Sequence, residues 1–165
     1  MRYQIRQATA EDAEALVLMQ TLAHEECYAH LLPSEFFSAR RASIPERVQR
    51  RLPYLDSPDP RMVALDSYNE IVGFADAGPG RDEDQPAGLE LYSIYTLRRT
   101  HGTGLGAALL NAAIGDSSAY LWVLEGNPRA LAFYRKSGFR PDGARKLLPP
   151  GWNELPEFRM VRPAT

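Results

Sequence analysis

Cysteine is nearly absent from this chain: Cys27 is the single thiol in 165 residues. One cysteine cannot close an intrachain disulfide, so the fold does not rest on covalent staples. Histidine is scarce too, at three residues, and no Cys/His cluster has the spacing of a zinc site; no metal is expected. No apolar run reaches the roughly 20 residues needed to cross a bilayer, and the N-terminus carries no secretory leader. A soluble, cytoplasmic protein with no membrane partner is expected. An excess of one charge is also lacking. With 19 Lys and Arg against 21 Asp and Glu, the net charge of −2 excludes a nucleic-acid-binding face as the main business. Internal repeats and low-complexity tracts are missing, and the length suits a single domain over residues 1–165.

What is present concentrates in two stretches. Leu89-Glu-Leu-Tyr-Ser-Ile-Tyr-Thr-Leu97 is rich in β-branched and aromatic residues and predicts a strand buried on both faces. Basic Arg98-Arg99-Thr100-His101 follows, then Gly102-Thr103-Gly104-Leu105-Gly106, then an apolar run to Ile114 that predicts a buried helix. A helix that starts inside a glycine turn offers unpaired backbone N–H groups and the positive end of its dipole, a setting suited to phosphate. Glycines alone would equally serve a tight connection with no ligand. The P-loop ending in Gly-Lys-Ser/Thr is absent, and Gly-x-Gly-x-x-Gly does not fit glycines at 102, 104 and 106. The second stretch is Asn127-Pro-Arg-Ala-Leu-Ala-Phe-Tyr134-Arg-Lys-Ser-Gly138-Phe139.

Both stretches resemble the GCN5-related N-acetyltransferases. The first matches that family's Arg/Gln-x-x-Gly-x-Gly/Ala signature; the second matches its Asn-x-x-Ala-x-x-Phe-Tyr-x-x-x-Gly-Phe motif through Asn127, Ala130, Phe133, Tyr134, Gly138 and Phe139. The resemblance covers nearly the whole chain. Two departures stand out: His101 replaces Arg or Gln, and Arg98 replaces a frequent proline. A neutral histidine supplies less fixed charge than arginine, which implies weaker or more pH-dependent cofactor binding.

The resemblance implies a mixed α/β (α+β) fold: a central mixed, mostly antiparallel sheet, splayed between two parallel strands and flanked by helices. The parallel strands are those ending at Thr96 and Leu124. It further implies acetyl-CoA as cosubstrate, with the pantetheine arm on the main chain of Ile94 and Thr96. The pyrophosphate lies on the turn from His101 through Gly102, Thr103, Gly104, Leu105 and Gly106, and Asn127 bonds the arm or a water, or simply caps its helix. The implied reaction is direct transfer of an acetyl group to a primary amine of a small molecule or peptide, with no nucleic acid involved. Backbone N–H groups near Tyr95 and Thr96 stabilise the oxyanion. Tyr134 is the implied general acid for the departing thiolate and Glu90 the implied general base.

For Glu90 the residues leave three readings open: base, counter-ion to the amine, or a carboxylate at the frayed start of its strand that is solvated or paired with an arginine. Tyr92 is expected on its face, as relay or pocket wall, and Tyr28 in the acceptor pocket. His24, His30, Glu25 and Glu26 are weaker candidates for that pocket. Trp122 is expected in the core, Trp152 on the acceptor side, and Cys27 without a catalytic role. The acidic loop Asp82-Glu83-Asp84 either favours a cationic acceptor or is simply solvated. A non-catalytic acetyl-CoA sensor is the alternative function. A homodimer and a monomer are both open, as are the acceptor and the acyl length.

Along the chain the pattern predicts a strand over Tyr3–Ala8, a helix capped at Thr9 and running to about Cys27, and a second helix from Ser43 with proline in its first turn. It predicts a hairpin turning at Ser67-Tyr68-Asn69, an exposed loop over 78–88, strands over Ala119–Leu124 and Glu157–Val161, and a helix over Pro128–Lys136 closed by Gly138.

Overall fold

The computed structural model describes residues 2–164. One seven-stranded sheet runs in the order β1-β2-β3-β4-β5-β7-β6. Its strands are β1 (Gln4–Gln7), β2 (Arg61–Leu65), β3 (Ile71–Pro79), β4 (Leu89–Thr96), β5 (Ala119–Leu124), β6 (Arg140–Leu147) and β7 (Pro156–Arg162). Every neighbouring pair is antiparallel except β4 and β5. The helices are α1 (Ala13–Tyr28), α2 (Ser34–Ala42), α3 (Ile44–Leu55), α4 (Leu105–Ile114) and α5 (Pro128–Lys136).

Local chemistry explains the anticipated starts and turns. A short 3-10 turn opens at Thr9, whose backbone N–H donates to Asp12 Oδ2 at 2.7 Å; Asp12 also pairs with Arg6 at 2.7 Å. Pro45 occupies the first turn of α3, where its missing N–H costs nothing. The β2–β3 hairpin turns through Asp66, whose Oδ1 accepts the N–H groups of Tyr68 and Glu70 while Asn69 takes φ 62°. Two elements escape the sequence pattern. α2 follows Pro33 as a nine-residue helix with Phe37 as its one buried residue, too short for a clear apolar stripe. β6 is an edge strand reading RPDGARKL, exposed along nearly its whole length, so no alternation marks it.

The core lies on both faces of the sheet. On one face, Leu109 of α4 is fully buried and would touch a Cβ placed on Gly73 of β3. α5 packs beside α4 through Phe133. On the other face α1 and α3 cover β3, with Arg51 of α3 reaching Asp76 at 2.7 Å.

β4 departs from the expectation of a strand buried on both faces. Only Glu90 and Leu91 are fully buried along it. The reason is the sheet itself: β4 and β5 pair at Glu90 and Tyr120 and diverge beyond, so the later residues of β4 face a gap rather than a neighbour.

Candidate active site

The gap between β4 and β5 widens into a cleft of about 940 Å³. Several elements build its walls. Ile94 and Thr96 come from β4, Val123 and Leu124 from β5, the glycine turn from the start of α4, and Asn127 and Tyr134 from α5.

The glycine turn is shaped for an anion. Gly102 and Gly104 have φ of 78° and 85°, left-handed values that glycine adopts without strain, and a Cβ on either would meet nothing within 4 Å. α4 begins directly after Gly104 with no side chain capping it, so its first N–H groups face open space. Gly106 serves a different purpose: a Cβ there would lie 3.3 Å from the Phe133 ring, so this glycine lets α4 and α5 approach. Thr103 Oγ1 donates to Thr100 O at 2.7 Å and is spent on the turn, while Leu105 is buried in the core. His101 lies within reach of the Thr96 carbonyl, at 3.3 Å from Nε2. Burial, then Arg129, push its pKa below the usual imidazole value, so the ring carries no charge at neutral pH. Arg129, in the first turn of α5, lines the cleft close to His101. Sequence reasoning missed Arg129, although it stands inside the second motif.

Tyr134 is buried at the cleft wall between Phe133 and Phe139, and its hydroxyl has no hydrogen-bond partner among the described residues. Burial raises its pKa well above that of a free phenol, which keeps the proton on the oxygen. Asn127 caps α5, its Oδ1 accepting the Ala130 N–H at 3.2 Å. The Asn127 side chain also interacts with the Tyr28 phenol.

The acceptor side is set by a bulge. The β3–β4 register skips Tyr92, pairing Leu91 with Ala77 and Ser93 with Asp76. Glu90, Ser93 and Tyr95 therefore share one face, and the inserted Tyr92 lies on it too, its ring standing where a Cβ on Gly78, the partner of Glu90, would be. Arg81 bridges Tyr92 and Glu90: its guanidinium lies 4.1 Å from the Tyr92 ring centroid and 2.7 Å from Glu90 Oε1. The Tyr92 hydroxyl donates to Pro79 O. Glu90 Oε2 accepts the Arg81 backbone N–H at 3.0 Å, Arg81 Nε at 3.1 Å and the Tyr120 hydroxyl at 3.1 Å. Of the three readings open for Glu90, the geometry shows the arginine pairing. The Arg81 side chain is 63% exposed, so it is a displaceable partner.

Beyond Tyr95 sits an aromatic cluster. The hydroxyls of Tyr28 and Tyr95 are 2.8 Å apart, and burial pushes the Tyr28 phenol up to about 12. The His24 ring lies 4.8 Å from Tyr95 and 5.3 Å from Trp152, which the last loop brings over the pocket. His24 is 3% exposed, and burial, with Arg40 and Arg47 nearby, holds it neutral. His30 is exposed and bonds Gly126 O. Cys27 lines the cleft as a thiol, its pKa raised by burial.

Two expectations are corrected. Trp122 is not in the core: it faces the cleft, with Nε1 on Asp82 at 3.0 Å and Lys146 Nζ 4.0 Å from its ring. The acidic loop is exposed at Glu83 and Asp84, but its aspartates are not free for a cationic acceptor, because Arg159 takes Asp82 at 2.8 Å and Asp84 at 2.6 Å. Glu157 was overlooked. This carboxylate of β7 is buried in the cleft wall, 3.4 Å from Lys146, and burial raises its pKa.

The model of the acetyltransferase (GNAT) family matches residues 24–139, a span that includes the glycine turn, the splayed strands and Tyr134. The chain belongs to that family. The cosubstrate that goes with this GNAT membership is acetyl-CoA, and the open turn at Gly102–Gly106 and the cleft below it fit that molecule. Over nearly its full length the chain is 28% identical to the Bacillus subtilis uncharacterized N-acetyltransferase YuaI, covering 95% of this chain and 96% of that protein. It is 32% identical over 90 residues to the L-methionine sulfoximine/L-methionine sulfone acetyltransferase of Pseudomonas aeruginosa, covering 51% of this chain and 52% of that one. The PaiA N-acetyltransferase of Thermoplasma acidophilum, solved with coenzyme A, shares the GNAT fold at a TM-score of 0.72 and 21% identity, with 99% of each chain covered.

Proposed function

We propose that the chain is an N-acetyltransferase that moves an acetyl group directly from acetyl-CoA to a primary amine. The observation that carries this reading is the placement of a protonated, unpartnered Tyr134 hydroxyl in the same cleft as the open glycine turn. Acetyl-CoA supplies an activated thioester, and the protein's task is to position it, free the amine of its proton and neutralise the departing sulfur.

The backbone N–H groups around Gly104 hold the pyrophosphate, aided by Arg129, and the edge of β4 at Ile94 and Thr96, which β5 leaves open, takes the pantetheine arm as an added strand would. Tyr134 donates its proton to the thiolate. Glu90 accepts the proton of the amine. Its Oε2 is fixed by Tyr120 and the Arg81 backbone, while Oε1 is held by the exposed Arg81 side chain, which an incoming ammonium displaces. Tyr28 and Tyr92 shape the acceptor end. A sensor that binds acetyl-CoA without turnover would have no use for such a donor.

The test is release of free thiol from acetyl-CoA against a panel of amines, with acetyl-CoA binding measured by calorimetry. Tyr134→Phe is expected to lower kcat about 10²- to 10⁴-fold and leave acetyl-CoA affinity within a few-fold. Binding without turnover of any amine would overturn the transferase reading.

A further inference from the structure

A second hollow of about 410 Å³ adjoins the cleft, with Gln20, Arg81, Tyr92 and Ser93 lining both. Its far wall is strongly basic: Arg40 at the end of α2 and Arg47, Arg50 and Arg51 on α3, with Arg61 from β2. Asp76 is its one acidic lining residue, and Arg51 takes both of its oxygens at 2.8 and 2.7 Å. Arg61 lies 3.6 Å from Asp59, and Arg81 goes to Glu90. Arg40, Arg47 and Arg50 have no carboxylate partner among the described residues.

Arg47 makes the case. It is 8% exposed, yet every acceptor it meets is neutral: Thr21 Oγ1 at 2.6 Å, Gln20 Oε1 at 2.9 Å and the Arg40 carbonyl at 3.3 Å. Thr21 in turn donates to Val17 O, so this hydroxyl is oriented to accept. Arg40 stands nearby with its guanidinium 5.2 Å from the Trp152 ring centroid and its Nε buried without a partner. Burial pushes the Arg47 guanidinium down to about 10, with Arg40, Arg50 and Arg51 adding repulsion. A buried guanidinium with no carboxylate partner, like that of Arg47, is costly, and the cost is offset when an anion enters. Arginine's planar fork also matches a carboxylate in two hydrogen bonds.

We propose that the acceptor is an amine that also carries a carboxylate, which sits on Arg47 and Arg40 while the amine points toward the cleft. This inference rests on the transferase reading for the role of the amine, but not for the binding of the carboxylate. The hollow meets the cleft at Gln20 and Ser93, beside the aromatic cluster of His24, Tyr95 and Trp152. The two spaces share that rim, so one molecule can lie in both.

The experiment compares free α-amino acids with their primary amides, in which a neutral amide replaces the carboxylate; because the amide also makes the α-amine more acidic, turnover is compared at matched fractions of free amine. A second arm compares peptides bearing an acidic first residue with their Asn or Gln counterparts. Binding to the protein is read by calorimetry, and turnover by thiol release. The carboxylated member of at least one pair is expected to bind and react about 10- to 100-fold better. Selectivity confined to the peptide arm identifies a protein N-terminus as the carboxylate's source and supports the same site. In Arg47→Gln the advantage is expected to fall to within about two-fold of unity, and Arg47→Lys is expected to restore part of it, with acetyl-CoA affinity unchanged in both. Because Arg47 is buried, Arg40→Gln is the parallel variant, with the same loss of selectivity expected. Carboxylate-selective binding without turnover would keep this inference and sink the transferase reading. Turnover of neutral or cationic amines with no carboxylate preference would keep the transferase and overturn the inference, as would equal binding within every pair.

Discussion

Replacing Glu90 by Gln removes one charge from a carboxylate that is 3% exposed and held by Arg81 and Tyr120. Two consequences separate. Stability falls because the glutamine amide presents N–H groups to a guanidinium. A fully buried pair broken this way would cost about 3–5 kcal/mol, but the Arg81 side chain is 63% exposed, so solvent repays much of the loss and about 1–2 kcal/mol is expected. Turnover falls by about 10²- to 10⁴-fold if the carboxylate takes the amine proton. That loss is greatest at low pH and shrinks as the amine deprotonates in solution. The assay is a pH–rate profile of kcat/KM for the wild type and variant, run beside urea unfolding and acetyl-CoA calorimetry. A profile of unchanged shape would refute the base assignment. If Glu157→Gln changes the profile where Glu90→Gln does not, the proton goes to the buried acid on β7 instead.

Other outcomes are expected from the same geometry. Gly104→Ala places a Cβ at φ 85°, where the space is open but the backbone is strained, so a loss of about 1–2 kcal/mol and a several-fold weaker acetyl-CoA affinity are expected by unfolding and calorimetry. Leu109→Ala empties a fully buried site against β3 and is expected to cost about 2–5 kcal/mol in urea unfolding. His24 is held neutral in the fold, with its pKa below the unfolded value of 6.5, so its contribution is complete above that pH. Stability from this group then declines as pH falls below 6.5, because the unfolded chain takes up a proton the fold refuses, at about 1.4 kcal/mol per pH unit. His24→Leu is expected to reduce the slope of stability against pH by one proton between pH 6.5 and the folded pKa; an unaltered slope would show the ring to be protonated in the fold.

The glycine turn and Asn127-to-Phe139 were legible because each is a local device. Their glycines, cap and helix phase depend on residues within one or two turns, and the observed φ of Gly102 and Gly104, the start of α4 and the cap at Asn127 follow that local chemistry. The β2–β3 hairpin was readable for the same reason. α2 and β6 were not: one is too short to show a stripe, and the other is a polar edge whose structure comes from β7 beside it. The bulge at Tyr92 left no mark either, since only the pairing with β3 reveals the skipped residue.

By itself the sequence determined the elements other than α2 and β6 and the phosphate-ready turn, because backbone preference, helix capping and unpaired N–H groups are set by near neighbours; the place of Tyr134 was implied by the family motif. Tertiary structure alone decided which charges are spent and which are free. Arg159 neutralises Asp82 from 77 positions away, Arg81 takes Glu90, and Arg51 takes Asp76, while Arg47 is buried among neutral oxygens. Such pairings depend on how the loops close and what the core excludes from water, and composition fixes neither: a chain of nearly balanced charge folds into a cleft with a cationic hollow beside it.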